Sequence, residues 1–329
     1  MTSTTHSILQ KAERWFAKRH GLVRIGRLLL TVGMIVGAIC LLTHALRGLD
    51  WRTMLHECWT MPWHRVALAA LFTVASYGAL TIYDFIGCRL VGCGVGYVRV
   101  AYAALLAYAF SHTLGFPAVT GGAIRYRLYA RWGVRPTDIA RIMALAGVTL
   151  VLGMLSIGGT SMLFTRQTLG SQALGGLMLA GLLVYVAIGY WRGTPKLRVS
   201  LAQILVGSID WLGVAGTLYM LLPSSIDMSF AAFAGLFVMA YLVATISNVP
   251  GGIGIFESLI LANIGHGLPT EALVSALLVY RAIYFLVPFL LAGLALMAFE
   301  AQILSARLSR RNAGVGETVE AQADFLRIS

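Results

Sequence analysis

The chain has 329 residues, of which 58% are hydrophobic and only 12% charged, with a mean hydropathy of +0.80. That composition excludes an ordinary soluble domain and indicates an all-α polytopic membrane protein with no length left for a sizeable soluble module. A net charge of +12 would suggest nucleic acid in a soluble protein, but here Lys and Arg cluster between apolar segments, where topology and anionic lipid account for them, so no nucleic-acid partner is expected.

Residues 1–27 are polar and precede no short apolar core with a small-residue cleavage site, so a cleavable signal is not expected. Ile8, Leu9, Ala12, Trp15 and Phe16 share one helical face, away from Lys11, Arg14 and Lys18, which predicts a cytosolic amphipathic helix lying on the membrane. Apolar segments then follow at 28–46, 66–87, 100–124, 139–164, 173–191, 199–222, 230–264 and 272–299, most of them near the roughly 20 residues a span requires. The polar stretch 300–329, with Glu317, Glu320 and Asp324, reads as a cytosolic tail. Cys40, Cys58, Cys88 and Cys93 show no CxxC spacing and read as structural filler.

Charge counting selects the topology. If all eight segments cross once, starting inside, 13 Lys and Arg fall inside and 11 outside, against the positive-inside tendency. If 100–124 and 230–264 instead enter and return on one side, 20 lie inside and 4 outside, and both termini are cytosolic. The expectation is about six full spans plus two re-entrant or broken-helix hairpins. They form inverted halves at about 28–164 and 173–299 within a transmembrane domain of 28–299.

The two hairpin segments carry matching punctuation. Pro117, Gly121 and Gly122 interrupt the first, and Pro250, Gly251 and Gly252 the second. Proline removes a backbone donor and glycine weakens a helix, and freed backbone groups at membrane depth are tolerated only beside protein or a wet cavity. Such pairs of breaks point to a transporter's substrate site. Asp84, Asp210, Glu257 and Arg281 are ionisable groups within apolar segments, and His112 and Asn248 stand beside the breaks. Arg281 needs a partner, either Asp210 or Glu257; a buried structural ion pair is the plainer role for these groups. Arg125, Arg127 and Arg131, interleaved with tyrosines, suit phosphate contact at the interface, whereas Arg135 and Arg141 read as ordinary inside charge. Asp84 and Arg89 read as structural.

His44, His56 and His64 flank a loop with Glu57, but at no spacing that makes a helical ligand pair, so no metal is expected. Ser111 and His112 are adjacent and do not face each other as nucleophile and base, and no GxSxG, Walker, EF-hand or dinucleotide fingerprint occurs. Neither a catalytic set nor a cofactor is expected.

Three stretches, Phe110 to Tyr129 (FSHTLGFPAVTGGAIRYRLY), Ser247 to Glu257 (SNVPGGIGIFE) and Val279 to Tyr284 (VYRAIY), resemble the membrane domain of the bacterial lysyl-phosphatidylglycerol synthetase/flippases, the multiple-peptide-resistance-factor family. The resemblance spans roughly residues 25–305 and implies movement of an anionic or aminoacylated phospholipid, such as lysyl-phosphatidylglycerol, between leaflets of the cytoplasmic membrane. The aminoacyltransferase domain of that family has no counterpart in this sequence. An accessory subunit of a separate synthase, or a membrane enzyme acting on headgroups, are the alternatives; a separate synthase or a second copy of the chain are the partner classes left open.

Overall fold

In the computed structural model, residues 51–164, 168–193, 197–246, 252, 254–264, 270–299 and 301 are described. The expected interfacial helix 1–27, the span 28–46, Asn248, Pro250, Gly251 and the rest of the 300–329 tail lie outside these residues.

Helix boundaries follow local chemistry. A short helix α1 (Trp51–Thr60) leads to α2 (Trp63–Val91), which begins directly after Pro62 and ends at Gly92 in the left-handed region, φ +70°. Cys88 and Cys93, expected as filler, are paired as a disulfide across that turn. Next come α3 (Tyr97–Leu114) and α4 (Thr120–Tyr129), packed on each other as a helical hairpin. Helix α5 (Pro136–Phe164) places proline at its first position, where a missing N–H costs nothing. A capping box between Thr168 and Ser171 starts α6 (Leu169–Arg192). Then follow α7 (Leu197–Leu221), α8 (Phe230–Ile246), α9 (Ile255–Ile264) and α10 (Thr270–Phe299). α9 packs on α8.

Among the described residues, α2, α5, α6, α7 and α10 are long and apolar enough to cross a membrane. The order long helix, hairpin, long helix therefore occurs twice: α2, α3/α4, α5, and then α7, α8/α9, α10. α6 and α10 leave Leu177, Leu183, Ile188, Leu290, Leu291 and Leu294 exposed, as a lipid-facing surface requires. The first hairpin runs past its expected end at 124. Gly121, Arg125, Leu128 and Tyr129 are buried at i, i+4, i+7 and i+8, so the arginine-rich stretch continues as one face of α4.

Lipid tails are as apolar as leucine, so helices in a membrane gain association from close packing. Small residues supply it here. A Cβ on Gly153 would stand 2.3 Å from the carbonyl of Gly207, joining α5 to α7. One on Gly213 would meet Ser76 at 2.9 Å, and one on Gly216 the ring of Phe72 at 2.7 Å, joining α7 to α2. The hydroxyls of Thr73 and Thr217 bond across that same seam at 3.1 Å.

Candidate functional site

The first break is built at Gly115, Phe116 and Pro117. Gly115 has φ +76°, and Phe116 takes φ +50°, a conformation uncommon for a side-chain-bearing residue. Thr120 closes the break by donating its hydroxyl to the carbonyls of Gly115 (2.8 Å) and Phe116 (3.1 Å). Gly121 and Gly122, expected in the break, lie instead in the first turn of α4. There Gly121 lets Ser111 and Arg125 come close: a Cβ would be 2.6 Å from Ser111 Oγ and 3.0 Å from Arg125 Nη1.

Arg125 is 4% exposed and turned inward. Its Nε and Nη2 donate to the two carboxylate oxygens of fully buried Asp84 at 2.7 and 2.8 Å. Tyr108 and Tyr129 each donate to Asp84 at 3.3 Å, and the Arg125 guanidinium lies 4.6 Å from the Tyr108 ring centroid. The phosphate-type fork expected of Arg125 is thus occupied by a carboxylate, and the pair clamps the hairpin to α2. Asp84, read from the sequence as structural beside Arg89, is instead fully buried and paired with Arg125. Arg127 and Arg131 are exposed, with Arg131 5.5 Å from the Phe299 ring centroid. Arg135 and Arg141 both engage Asp138, at 2.8 and 3.4 Å.

Both breaks reach one cavity of about 220 Å³. Gly115, Phe116 and Pro117 line it from the first hairpin and Gly252 from the second, together with His112, Asp210 and Arg281. A larger, methionine-rich hollow between α5, α6, α8 and α9 is lined by no charged residue and touches neither interruption. Chemistry, not size, therefore marks the smaller one.

Asp210 is buried at the wall and accepts hydrogen bonds from Ser76 and from Tyr83 (2.9 Å); among the described residues no cation pairs with it. Ser76 also bonds the Tyr284 hydroxyl at 2.9 Å, linking α7, α2 and α10 through one serine. Tyr284 sits in a π-helical turn, Ala282–Leu286, within α10. Such a turn disturbs the carbonyl ladder. Tyr77 donates to the Tyr284 carbonyl (3.1 Å) and Thr113 to that of Phe285 (3.2 Å). His112 stacks on Tyr284 with ring centroids 5.8 Å apart and 18° between planes, and Tyr77 meets it edge-on. Sequence reasoning missed the serine and tyrosines. Their signal was Ser76 and Tyr83 one heptad apart on the helix that carries Asp84, with Tyr280 and Tyr284 at i, i+4.

At the second break, Arg281 selects Glu257. Its Nη2 is 2.6 Å and its Nε 2.8 Å from Oε1. Glu257 Oε2 accepts from the Gly254 N–H at 2.7 Å, so a single carboxylate caps α9 and ties it to α10. Arg281 is also 4.6 Å from the Phe285 ring centroid. Replacing Glu257 with Gln keeps a cap acceptor but removes the charge-assisted bonds to Arg281. A loss of about 2 kcal/mol is expected on denaturant unfolding of detergent-extracted protein, and Arg281→Lys, which lacks the planar fork, should lose a similar amount.

A protein of Synechocystis sp. is 32% identical over 304 residues, which cover 86% of this chain and 92% of that protein. The inner membrane protein YbhN of Escherichia coli is 28% identical over 314 residues, covering 87% and 96%. The phosphatidylglycerol lysyltransferase of Staphylococcus haemolyticus is 25% identical over 298 residues, covering 86% of this chain and 35% of its own. This chain belongs to the membrane-domain family of the lysyl-phosphatidylglycerol synthetase/flippases. Within that family it spans nearly the full length of the Synechocystis and Escherichia proteins and about a third of the lysyltransferases. No protein-family model matches the chain.

Proposed function

We propose that this chain is a lipid translocase of the bacterial cytoplasmic membrane, moving an anionic or aminoacylated phospholipid such as lysyl-phosphatidylglycerol between leaflets, without enzymatic activity of its own. The observation that carries the reading is the convergence of both interrupted hairpins, with Asp210 and Arg281, on one cavity. In this reading α3/α4 re-enters from the cytosolic face and α8/α9 from the opposite face, making residues 28–299 an inverted repeat around the α2–α7 seam. At roughly 30 Å³ per water, the cavity has room for about seven waters, which suits a headgroup and not a whole lipid. The acyl chains then remain in the bilayer along exposed α6 and α10 while the headgroup passes.

Arg127 and Arg131 gather the phosphate at the inner face, while Arg125 holds the hairpin in place through Asp84. Arg281 and His112 line the passage, with Glu257 holding Arg281, and Gly252 lines it at the second break. Similarity to phosphatidylglycerol lysyltransferases over a third of their length supports a lipid headgroup as cargo.

The test is leaflet exchange of fluorescent lysyl-phosphatidylglycerol, phosphatidylglycerol and a zwitterionic lipid in proteoliposomes. Exchange of the charged lipids, reduced at least tenfold in an Arg127→Ala/Arg131→Ala double variant, is expected. No exchange above empty vesicles from monodisperse protein would turn the assignment toward an accessory subunit of a separate synthase.

A further inference from the structure

Asp210 is the one carboxylate on the cavity wall that the pairing pattern leaves to hydroxyls. Glu257 holds Arg281 and Asp84 holds Arg125, but Asp210 accepts only from Ser76 and Tyr83 among the described residues. A buried ionised group without a cation is expensive at bilayer depth, so some positive species has to reach it. The cavity supplies the access.

The surroundings define that species. From α2, Tyr77 and Tyr83 face Asp210; from α3, Tyr108 approaches it and His112 lines the same cavity; from α8 comes Tyr241. α10 adds Tyr280, Tyr284 and Arg281, α9 brings Phe256 with Glu257 behind it, and α5 contributes only Leu150 to the cavity. Arg281 is the cation that shares this space, and it is engaged by Glu257. Nδ1 of His112 is buried with no hydrogen-bond partner among the described residues. One unpaired carboxylate, a polar nitrogen without a partner, and aromatic faces of tyrosine and tryptophan make a site for a small cation.

Building on the translocase reading, we infer that Asp210 is an exchange site occupied alternately by a proton and by the ammonium of a lipid headgroup, so that lipid moving out is coupled to a proton moving in. Each form of the carboxyl group is then neutralised. With lipid bound, Asp210 is ionised and faces the ammonium. With lipid released outside, one proton from that side binds an Asp210 oxygen, and the resulting carboxyl O–H donates to Ser76 Oγ, whose own hydrogen turns to Tyr284 Oη. On the inner side the proton leaves to water as the next ammonium arrives. One proton enters for each ammonium that leaves, and no net charge is created in the cavity. His112 Nδ1 completes its hydrogen bonding with the occupant.

The experiment uses the full chain in vesicles of phosphatidylcholine and phosphatidylglycerol containing fluorescent lysyl-phosphatidylglycerol, with pyranine inside to report protons. For one proton per lipid, an imposed gradient of one pH unit should shift the steady-state leaflet ratio about tenfold. Lipid movement should carry a matching proton signal abolished by a protonophore. Phosphatidylglycerol, which has no ammonium, should show neither. Asp210→Asn should lose both the exchange of lysyl-phosphatidylglycerol and its response to the gradient, and Asp210→Glu should restore part of each. Where Asp210→Asn fails to fold, the wild-type proton signal and a His112→Asn variant, expected to weaken coupling several-fold, decide the matter. Exchange that proceeds with no gradient dependence and no proton signal overturns the coupling and leaves the translocase standing; absence of exchange under every condition overturns both.

Discussion

Replacing Asp84 with Asn, or Arg125 with Gln, is expected to destabilise the protein by about 3–5 kcal/mol, because each change leaves a charge buried without its counterpart. Asp84 is fully buried and Arg125 nearly so, and four donors converge on the carboxylate from α3, α4 and the end of α4 at Tyr129. Removing both partners together, as Asp84→Leu with Arg125→Met, should recover much of the loss, since an apolar pair of similar volume needs no compensation. Denaturant titration of detergent-extracted protein reads the effect. Equal stability of single and double variants would show that the pair does not hold the hairpin. The double variant also separates two roles: full transport at restored stability would make Arg125 an anchor with no headgroup contact.

A second large effect is expected at the crossing of α5 and α7. Gly153→Val or Gly207→Val should lower stability by more than about 3 kcal/mol, beyond ordinary overpacking, because the obstacle is backbone. A Cβ at Gly207 would stand 2.6 Å from the Thr149 carbonyl, and neither helix can yield without opening the seam. Gly147 is the internal control. It lies on the same α5 with open space around its Cβ, so Gly147→Ala should be neutral or stabilising by up to about 1 kcal/mol. Thermal unfolding monitored by size-exclusion chromatography compares the three, and a Gly153 variant as stable as the Gly147 variant would refute the packing argument.

The helical frame was legible because bilayer-spanning segments announce themselves by length and hydropathy. The apolar stretches 66–87, 139–164, 173–191 and 272–299 each lie within a helix of the structure, and 199–222 overruns its helix, Leu197–Leu221, by one residue. The two interruptions were legible for a related reason: proline and paired glycine are conspicuous in apolar surroundings. The boundaries of the first hairpin were less so. Arginine counted as loop in a hydropathy reading, whereas Arg125 is carried inside by Asp84, a partner 41 residues earlier in the chain. The choice of Arg281 between Asp210 and Glu257 was likewise undetermined, since both lie on helices that a linear reading places at equal standing.

The sequence by itself determined that this is an all-α membrane protein, where its long helices run, and that two of its hydrophobic segments are broken, because these properties are set by local composition and backbone chemistry. Only the tertiary structure decided which charges are paired, that Arg125 turns inward, that Ser76 and Tyr83 attend Asp210, and that both breaks meet at one cavity. Those outcomes depend on which glycines let helices touch and on the side chains that meet across the contact, and such distances are not written in any single stretch of chain.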